Sequence, residues 1–237
     1  MPRQRRKLKR PTASRPRRNN LAREAPVSQQ PKPLYFWKET DPATGFLAPW
    51  YQSPFTDGDD VWISVGEYVT QEKARLFGDR EAYNRIGSSN DISEQRFIGN
   101  NIKNFDEEVW KQKCFEIAKI ANALKFHFPV DKDSNIRERL EATGDRELVD
   151  ATPHDRLWGI GFRAADAKKT DRKEWGQNLY GKAVMDIRRD GITDGDPVME
   201  AILQRKEALK KKHSKPQSSV EIDVSQFDVG GRLSIWW

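Results

Sequence analysis

Three observations predict an α+β domain, predominantly helical, with a small antiparallel sheet near its N-terminal part and a disordered basic tail in front. Apolar residues recur at helical spacing in several segments. Short strand-like runs cluster near the start, and no alternating strand–helix rhythm runs along the chain. The expected organisation is a tail over 1–33, a domain over 34–192 and a C-terminal helix and tail over 193–237.

The first 33 residues mix Arg, Pro, Ser, Asn and Gln with almost nothing apolar to bury, which is the composition of disorder. The folded part begins at Leu34-Tyr35-Phe36-Trp37, a short aromatic strand. Ser53-Pro54-Phe55, a turn at Asp57-Gly58 and the run Val61 to Val65 predict a hairpin, with Val61, Ile63 and Val65 on one face. A helix is expected from Gly66 to Phe77, stopped at Gly78. Asp106 has the character of an N-cap, with Glu107 and Glu108 in the first turn. From there Trp110, Cys114, Ile117, Ala121 and Leu124 fall at spacings of 4, 3, 4 and 3, one stripe of a core helix. A shorter helix is expected over Ser134 to Ala142, and Leu148-Val149-Asp150 is a candidate strand. Leu179, Ala183 and Ile187 share the face of a further helix ending near Gly191. Asp196-Pro197 opens one more, in the favoured order of cap then proline, ending in Lys210-Lys211-Lys212-His213.

Charge divides the chain. Ten of the 42 Lys and Arg fall in residues 1–24 beside one acid, Glu24, giving that stretch +9. Residues 25–237 hold the other 32 against 35 Asp and Glu, a net −3, so the pI near 9.3 belongs to the tail. The clusters Arg5-Arg6-Lys7-Leu8-Lys9-Arg10 and Arg15-Pro16-Arg17-Arg18 fit a nuclear-import address. An Arg-rich, acid-poor start also fits a mitochondrial presequence, but no clear amphipathic helix supports it, so the nucleus is favoured. A solvated tail that binds polyanions such as nucleic acid is the third reading. The lone Cys114 excludes an intramolecular disulfide and suits a reducing compartment. Three scattered His and one Cys do not assemble a zinc site, and no apolar run approaches the 18 or so residues of a membrane span. An intracellular protein, with no membrane partner, is expected.

The most informative segment is Asp155-Arg156-Leu157-Trp158-Gly159-Ile160-Gly161 with Trp175-Gly176-Gln177-Asn178-Leu179-Tyr180-Gly181. It sets a carboxylate, two Trp, an amide and four Gly close together with little apolar periodicity. Trp offers a flat face for a ring, Gly permits close backbone approach, and Asp moves or stabilises charge. A ring-bearing polar ligand is expected there.

With these segments in view, the chain resembles the NADAR family, the NAD- and ADP-ribose-associated domain, from Phe36-Trp37 to Arg188. The pieces occur in family order. They are Gly45 to Tyr51 with Ser53-Pro54-Phe55, then Lys73-Ala74 and Leu76-Phe77-Gly78-Asp79. Lys103 to Asp106 with Trp110 and Lys125-Phe126 follow, then Thr143-Gly144-Asp145, Leu148-Val149-Asp150, Asp155, Trp158-Gly159 and Gly161. Trp175-Gly176, Asn178, Gly181, Met185 and Arg188 complete the set. The resemblance implies an N-glycosidase that cleaves a ribose C1–nitrogen bond in an ADP-ribosyl or N-ribosyl nucleotide. One branch of the family acts on phosphorylated riboflavin-pathway intermediates and another removes ADP-ribose from guanine. Such a bond breaks through an oxocarbenium-like cation, which calls for a carboxylate near C1 and polar groups for the leaving base. No dinucleotide fingerprint or P-loop is present, so no nicotinamide or NTPase chemistry, and no cofactor, is expected.

The expected catalytic set is Asp155, Glu67 and Lys73; the expected substrate-binding set is Trp110, Trp158, Gly159, Asn178 and Lys125. Asp155 would stabilise the cation or activate water, or else only organise its loop as an Asx-turn. Trp158 would stack on base or ribose, or plug the core, and Trp110 heads a core stripe. Asn178 with its Gly neighbours would hold a hydroxyl or phosphate, or cap a helix. Lys73, through the family motif, would attack C1 or pair with phosphate. Lys125 sits at a helix end where positive charge is favoured anyway, and His127 and His154 are isolated. Two departures from the family stand out. Asn100 replaces an Arg, with Arg96 and Lys103 as possible substitutes. Gly66 falls where the family has a Glu, leaving Glu67 displaced by one position unless a one-residue deletion restores it. A divergent member that binds such a ligand without hydrolysing it, or a nucleic-acid-associated protein acting through the tail, are the alternatives.

Removal of residues 1–33 is expected to leave the thermal unfolding transition and any hydrolysis unchanged, measured by calorimetry and product assay on the truncated chain.

Overall fold

A computed structural model describes residues 31–190 together with 199–200, 202–204 and 207. The basic clusters, the Asp196-Pro197 opening and the chain beyond 207 lie outside the described residues. Two short strand pairs and seven α-helices make up the described domain. In order they are β1 (Leu34–Phe36), β2 (Phe55–Thr56), β3 (Val61–Trp62), α1 (Val65–Leu76), α2 (Arg80–Ser88), α3 (Ile92–Asn100), α4 (Glu107–His127), α5 (Ile136–Glu141), β4 (Leu148–Asp150), α6 (Ala164–Ala167) and α7 (Leu179–Asp190), with single 3-10 turns at Gly45–Leu47 and Arg172–Glu174. The domain is α+β and mostly helical.

The antiparallel pair is β2–β3, with Phe55 opposite Trp62. Contrary to the expected alternation, Val61 is exposed while Trp62 is buried. Its indole stacks on Phe55 with centroids 5.9 Å apart and meets the edge of Tyr68 at 4.9 Å. The strand also stops early, because Ser64 leaves the sheet to cap α1, its side chain accepting from the Glu67 N–H at 3.1 Å. The first aromatic strand does not join this sheet. β1 instead pairs in parallel with β4, Leu34 opposite Leu148 and Phe36 opposite Asp150.

α4 carries the predicted stripe. Trp110, Cys114, Ala121 and Leu124 are buried, and Asp106 caps the helix by accepting from the Val109 N–H at 2.9 Å. α4 packs against α1 on one flank and α7 on the other, and α7 in turn packs on β4. The core that these elements share holds Phe36, Phe46, Phe55, Tyr68, Leu124, Phe126, Leu148, Tyr180 and Val184. α2 and α3 were not expected. Their Ile86 and Ile98 close a smaller cluster with Ala74 on α1, and each starts at an aspartate cap, Asp79 and Asp91.

At Gly181 the backbone of α7 comes against β4. A Cβ there would overlap the Leu148 carbonyl and the Asn178 amide. Gly→Ala inside a helix ordinarily gains about 1 kcal/mol from propensity. Gly181→Ala is expected to lose about 1–3 kcal/mol because α7 must lift off the strand, measured by urea denaturation.

Candidate functional site

Both strands of the parallel pair end on one side, and the chain leaving each of them walls a cavity of about 490 Å³. From the end of β1 come Trp37, Lys38, Glu39 and Thr40; from β4 and the loop after it come Asp150, Thr152, Asp155 and Trp158. Pro49 and Trp50, Gly66, Val69 and Thr70 of α1, Arg96 of α3 and Tyr180 of α7 complete the wall. The carboxyl ends of parallel strands are where open α/β sheets hold ligands, and the cavity lies at the corresponding end of this minimal pair.

Asp150 is 2 % exposed at the end of β4. Burial pushes its carboxyl up to about 6, and the neighbouring Asp155 charge adds to that, while hydrogen bonds from the Thr152 hydroxyl and N–H pull the other way. Asp155 is half-buried. Its Oδ1 accepts from the Leu157 and Trp158 N–H groups at 3.0 and 2.9 Å, so it does make the Asx-turn that organises the loop, and it also lines the cavity. Trp158 faces the cavity and meets Trp110 edge-on at 6.2 Å and Tyr180 at 6.5 Å. The Tyr180 hydroxyl is buried and donates to Asn122 Oδ1 at 3.2 Å, and burial raises its pKa well beyond the usual phenol range.

The other expected site residues stand back from this wall. Glu67 is buried, but its Oε2 accepts from the Ile63 N–H at 2.7 Å, one residue before the Ser64 cap, while the Ser64 side chain accepts from the Glu67 N–H, a close relative of the capping box, and Glu67 is not among the residues that line the cavity. Gly66 does face the cavity, and Trp50 occupies the space a side chain would need, since a Cβ there would lie 2.6 Å from the indole Cε2 and Cε3. Lys73 lies a turn beyond Thr70 on α1. Its ammonium donates to the Gly99 carbonyl at 2.8 Å and sits 4.2 Å from the Phe105 ring centre and 5.6 Å from that of Trp110. Burial lowers its pKa. Trp110 is buried behind Trp158. Asn178 is buried with φ 51°, taking the Asp150 N–H on Oδ1 at 2.9 Å and giving Nδ2 to the Leu148 carbonyl at 2.9 Å. Gly159 supports the same place, its carbonyl accepting from the Asn178 N–H at 3.2 Å. Of the two substitute cations, Arg96 lines the cavity, whereas Lys103 pairs with Glu81 at 2.9 Å elsewhere.

Lys125 is fully buried away from the cavity. Its ammonium donates to the Phe46 carbonyl at 2.7 Å, with Tyr51 and Phe126 rings about it. Asp150, Trp50 and Tyr180 are wall residues that were not singled out from sequence. The one available signal was an acid closing the apolar run Leu148-Val149. Among the described residues no group of three His, Cys, Asp or Glu could hold a metal ion, and no helix is long and apolar enough to cross a membrane.

Fold and cavity together define a helical α+β domain with one wall of its cavity built from Asp150, Asp155 and Trp158. Residues 35–190 match the NADAR domain, and the chain belongs to that family. It is 32% identical over 130 residues to an N-glycosidase of Acanthamoeba polyphaga mimivirus, covering 54% of this chain and 74% of that protein. A riboflavin biosynthesis protein of Vibrio vulnificus is 24% identical over 159 residues, 67% of this chain and 38% of its own length. The protein irg-1 of Caenorhabditis elegans is 28% identical over 127 residues, 52% of this chain and 58% of its own. The NMR structure of the E. coli protein YbiA shares the fold with a TM-score of 0.54 at 20% identity, over 68% of this chain and 86% of that one.

Burial pushes the Lys125 amine down to about 7, with Arg139 adding to the effect. In the unfolded chain a Lys holds its proton up to about pH 10. Between these values the unfolded state binds the extra proton, so stability rises with pH through this window. From pH 7 to 9 the gain is expected to be about 2–3 kcal/mol, and Lys125→Met is expected to lose that rise, measured by urea unfolding across the pH range.

Proposed function

We propose that the cavity hydrolyses the C1–nitrogen bond of an N-ribosyl or ADP-ribosyl nucleotide. The observation that carries the reading is the pair of carboxylates, Asp150 and Asp155, on one wall of a cavity that also presents the indoles of Trp37, Trp50 and Trp158. Support comes from membership of the NADAR family and from the viral relative named an N-glycosidase.

The two acids divide the work by environment. Asp150, raised to about 6 by burial, holds a proton in mildly acidic conditions and gives it to the departing nitrogen. Asp155, on the more open wall, stabilises the positive charge that develops on the ribosyl ring and takes a proton from the attacking water. The water oxygen bonds to C1, the C1–N bond breaks with its electrons going to the base, and the protons balance through the two aspartates. The indoles supply faces for base and sugar. Asp150 thereby fills the place that Glu67 was expected to take.

A second reading is a binder that does not turn its ligand over. It is favoured by Glu67 being held on the Ile63 N–H and Lys73 on the Gly99 carbonyl, both off the cavity wall. Incubation with ADP-ribosylated guanosine and with phosphorylated riboflavin-pathway intermediates, reading free base and free ribosyl product by mass, separates the two. Release of base supports hydrolysis, and ligand binding with no product supports the binder.

Asn keeps an oxygen to accept the Leu157 and Trp158 N–H bonds, so Asp155→Asn should preserve the loop and lie within about 1 kcal/mol of wild type in stability. Its rate is expected to fall by about 10²-fold or more. If Asp150 acts as an acid, the wild-type rate declines as pH rises through about 6, and Asp150→Asn lowers the rate and removes that limb from the pH–rate profile.

A further inference from the structure

In the parallel pair, Leu34 and Phe36 are the residues of β1 that bond to β4, the Leu34 N–H giving to Glu147 and the Phe36 carbonyl accepting from Ala151. The Tyr35 N–H and carbonyl between them therefore point away from β4, and no hydrogen bond among the described residues uses either. An open strand edge of this kind is a template for a further extended chain. Beside it lies a groove of about 430 Å³, lined by Tyr35, Trp37, Lys38, Thr40 and Ala164 among others. Three exposed cations stand over its aromatic side chains. Lys168 is 5.7 Å from the centre of the Tyr35 ring, and Lys38 and Arg163 are 5.0 and 5.7 Å from that of Trp37. Among the described residues none of the three has a carboxylate within ion-pair distance. Asp41 is the acid of the groove, and the Ala43 and Thr44 N–H groups already hold it. The edge and its rim suit an extended segment with negative charge on one face.

We propose that this edge takes the run Val220-Glu221-Ile222-Asp223-Val224 of the same chain as a third strand. These residues lie outside the described part, and their sequence carries the argument. Aliphatic and acidic residues alternate, so a strand built from the run shows its acids on one face and its aliphatics on the other. Tyr35 and the cations above it lie on one face of β1, Leu34 and Phe36 on the other. Acids and aliphatics each find their match. No Lys or Arg falls between Lys215 and Arg232, a stretch with three acids in a chain of net charge +6. Reach is sufficient. Ile202 is buried in the main core, and Glu207 is the last described residue. Val220 follows 13 positions later, a span of up to about 40 Å when extended, against a radius of gyration of about 15 Å for a domain of this size. Docking also bears on the main cavity. Trp37, Lys38 and Thr40 line both it and the groove, so the segment braces the chain that walls the main cavity. The proposal does not depend on what that cavity binds.

Hydrogen exchange of individual amides is measured by NMR on the full chain, with the buried amides of α4 as the control for folding. In wild type the Tyr35 amide is expected to exchange at least tenfold more slowly than in the double variant Glu221→Lys, Asp223→Lys. Reversing the groove as well, with Arg163→Glu and Lys168→Glu, is expected to restore the slow exchange. A synthetic peptide of residues 218–226 added to the Glu221→Lys, Asp223→Lys variant is expected to do the same, while a peptide of scrambled order leaves the amide fast. Equal exchange at Tyr35 in wild type and the double variant overturns the proposal. So does wild-type protection that survives Arg163→Glu with Lys168→Glu alone. Slow exchange that disappears on dilution, alongside a dimer in light scattering, assigns the edge to a second copy and overturns the pairing within one chain.

Discussion

The side-chain amide of Asn178 takes two of the groups on the free edge of β4 at once. A strand edge presents an N–H and a carbonyl two residues apart on the same side, and Asn178 accepts from the Asp150 N–H and donates to the Leu148 carbonyl. β1 occupies the other edge, while the Leu148 N–H goes to Met185 Sδ at 3.2 Å and the Asp150 carbonyl accepts from the Ile160 N–H at 2.9 Å. Asp in place of Asn would lack the donor and leave a buried carbonyl unpaired. The arrangement needs α7 to come in close, which Gly181 allows, and it places Asn178 itself in the left-handed region that Asn tolerates better than most residues.

The cavity follows from that clamp. Once β4 is fixed, Asp150 has a defined position at the strand end, the loop through Thr152 and Asp155 turns back over it, and Trp158 is brought against Trp110 and Tyr180. Parallel pairing sends Trp37 to Thr40 out beside the same end. The polar residues that stand back from the wall serve the frame. Glu67 joins Ser64 in starting α1, Lys73 ties α1 to the end of α3, and Lys125 ties α4 to the turn that precedes Pro49 and Trp50.

Local signals carried α1, α4, α5, α7 and the hairpin. The Trp110 to Leu124 stripe and the Asp106 cap belong to a single segment, so α4 was legible, as was the turn at Asp57-Gly58. The β1–β4 pairing joins two apolar triplets far apart in the chain, and nothing local to either one names its partner. α2 and α3 were missed because few apolar residues mark them, although Asp79 and Asp91 are sound caps. Ser64-x-x-Glu67 has the spacing of a capping box, and the structure holds the Glu67 carboxylate on the Ile63 N–H at the start of α1. Asp155 was legible as a polar residue among Trp and Gly. Asp150 was not, because an acid at the end of an apolar strand becomes a cavity residue only through the fold around it.

The distance in sequence between β1 and β4 has a consequence for the order of events. Closing so long a loop costs entropy before any strand contact compensates for it, whereas the turns of α4 and the β2–β3 hairpin form from near neighbours. The cavity wall joins the ends of that long-range pair to Gly66, Arg96 and Tyr180 of the helices, so the pocket exists only when both are in place. A ligand that fills the pocket touches both, and its binding free energy adds to the stability of the closed fold as a whole.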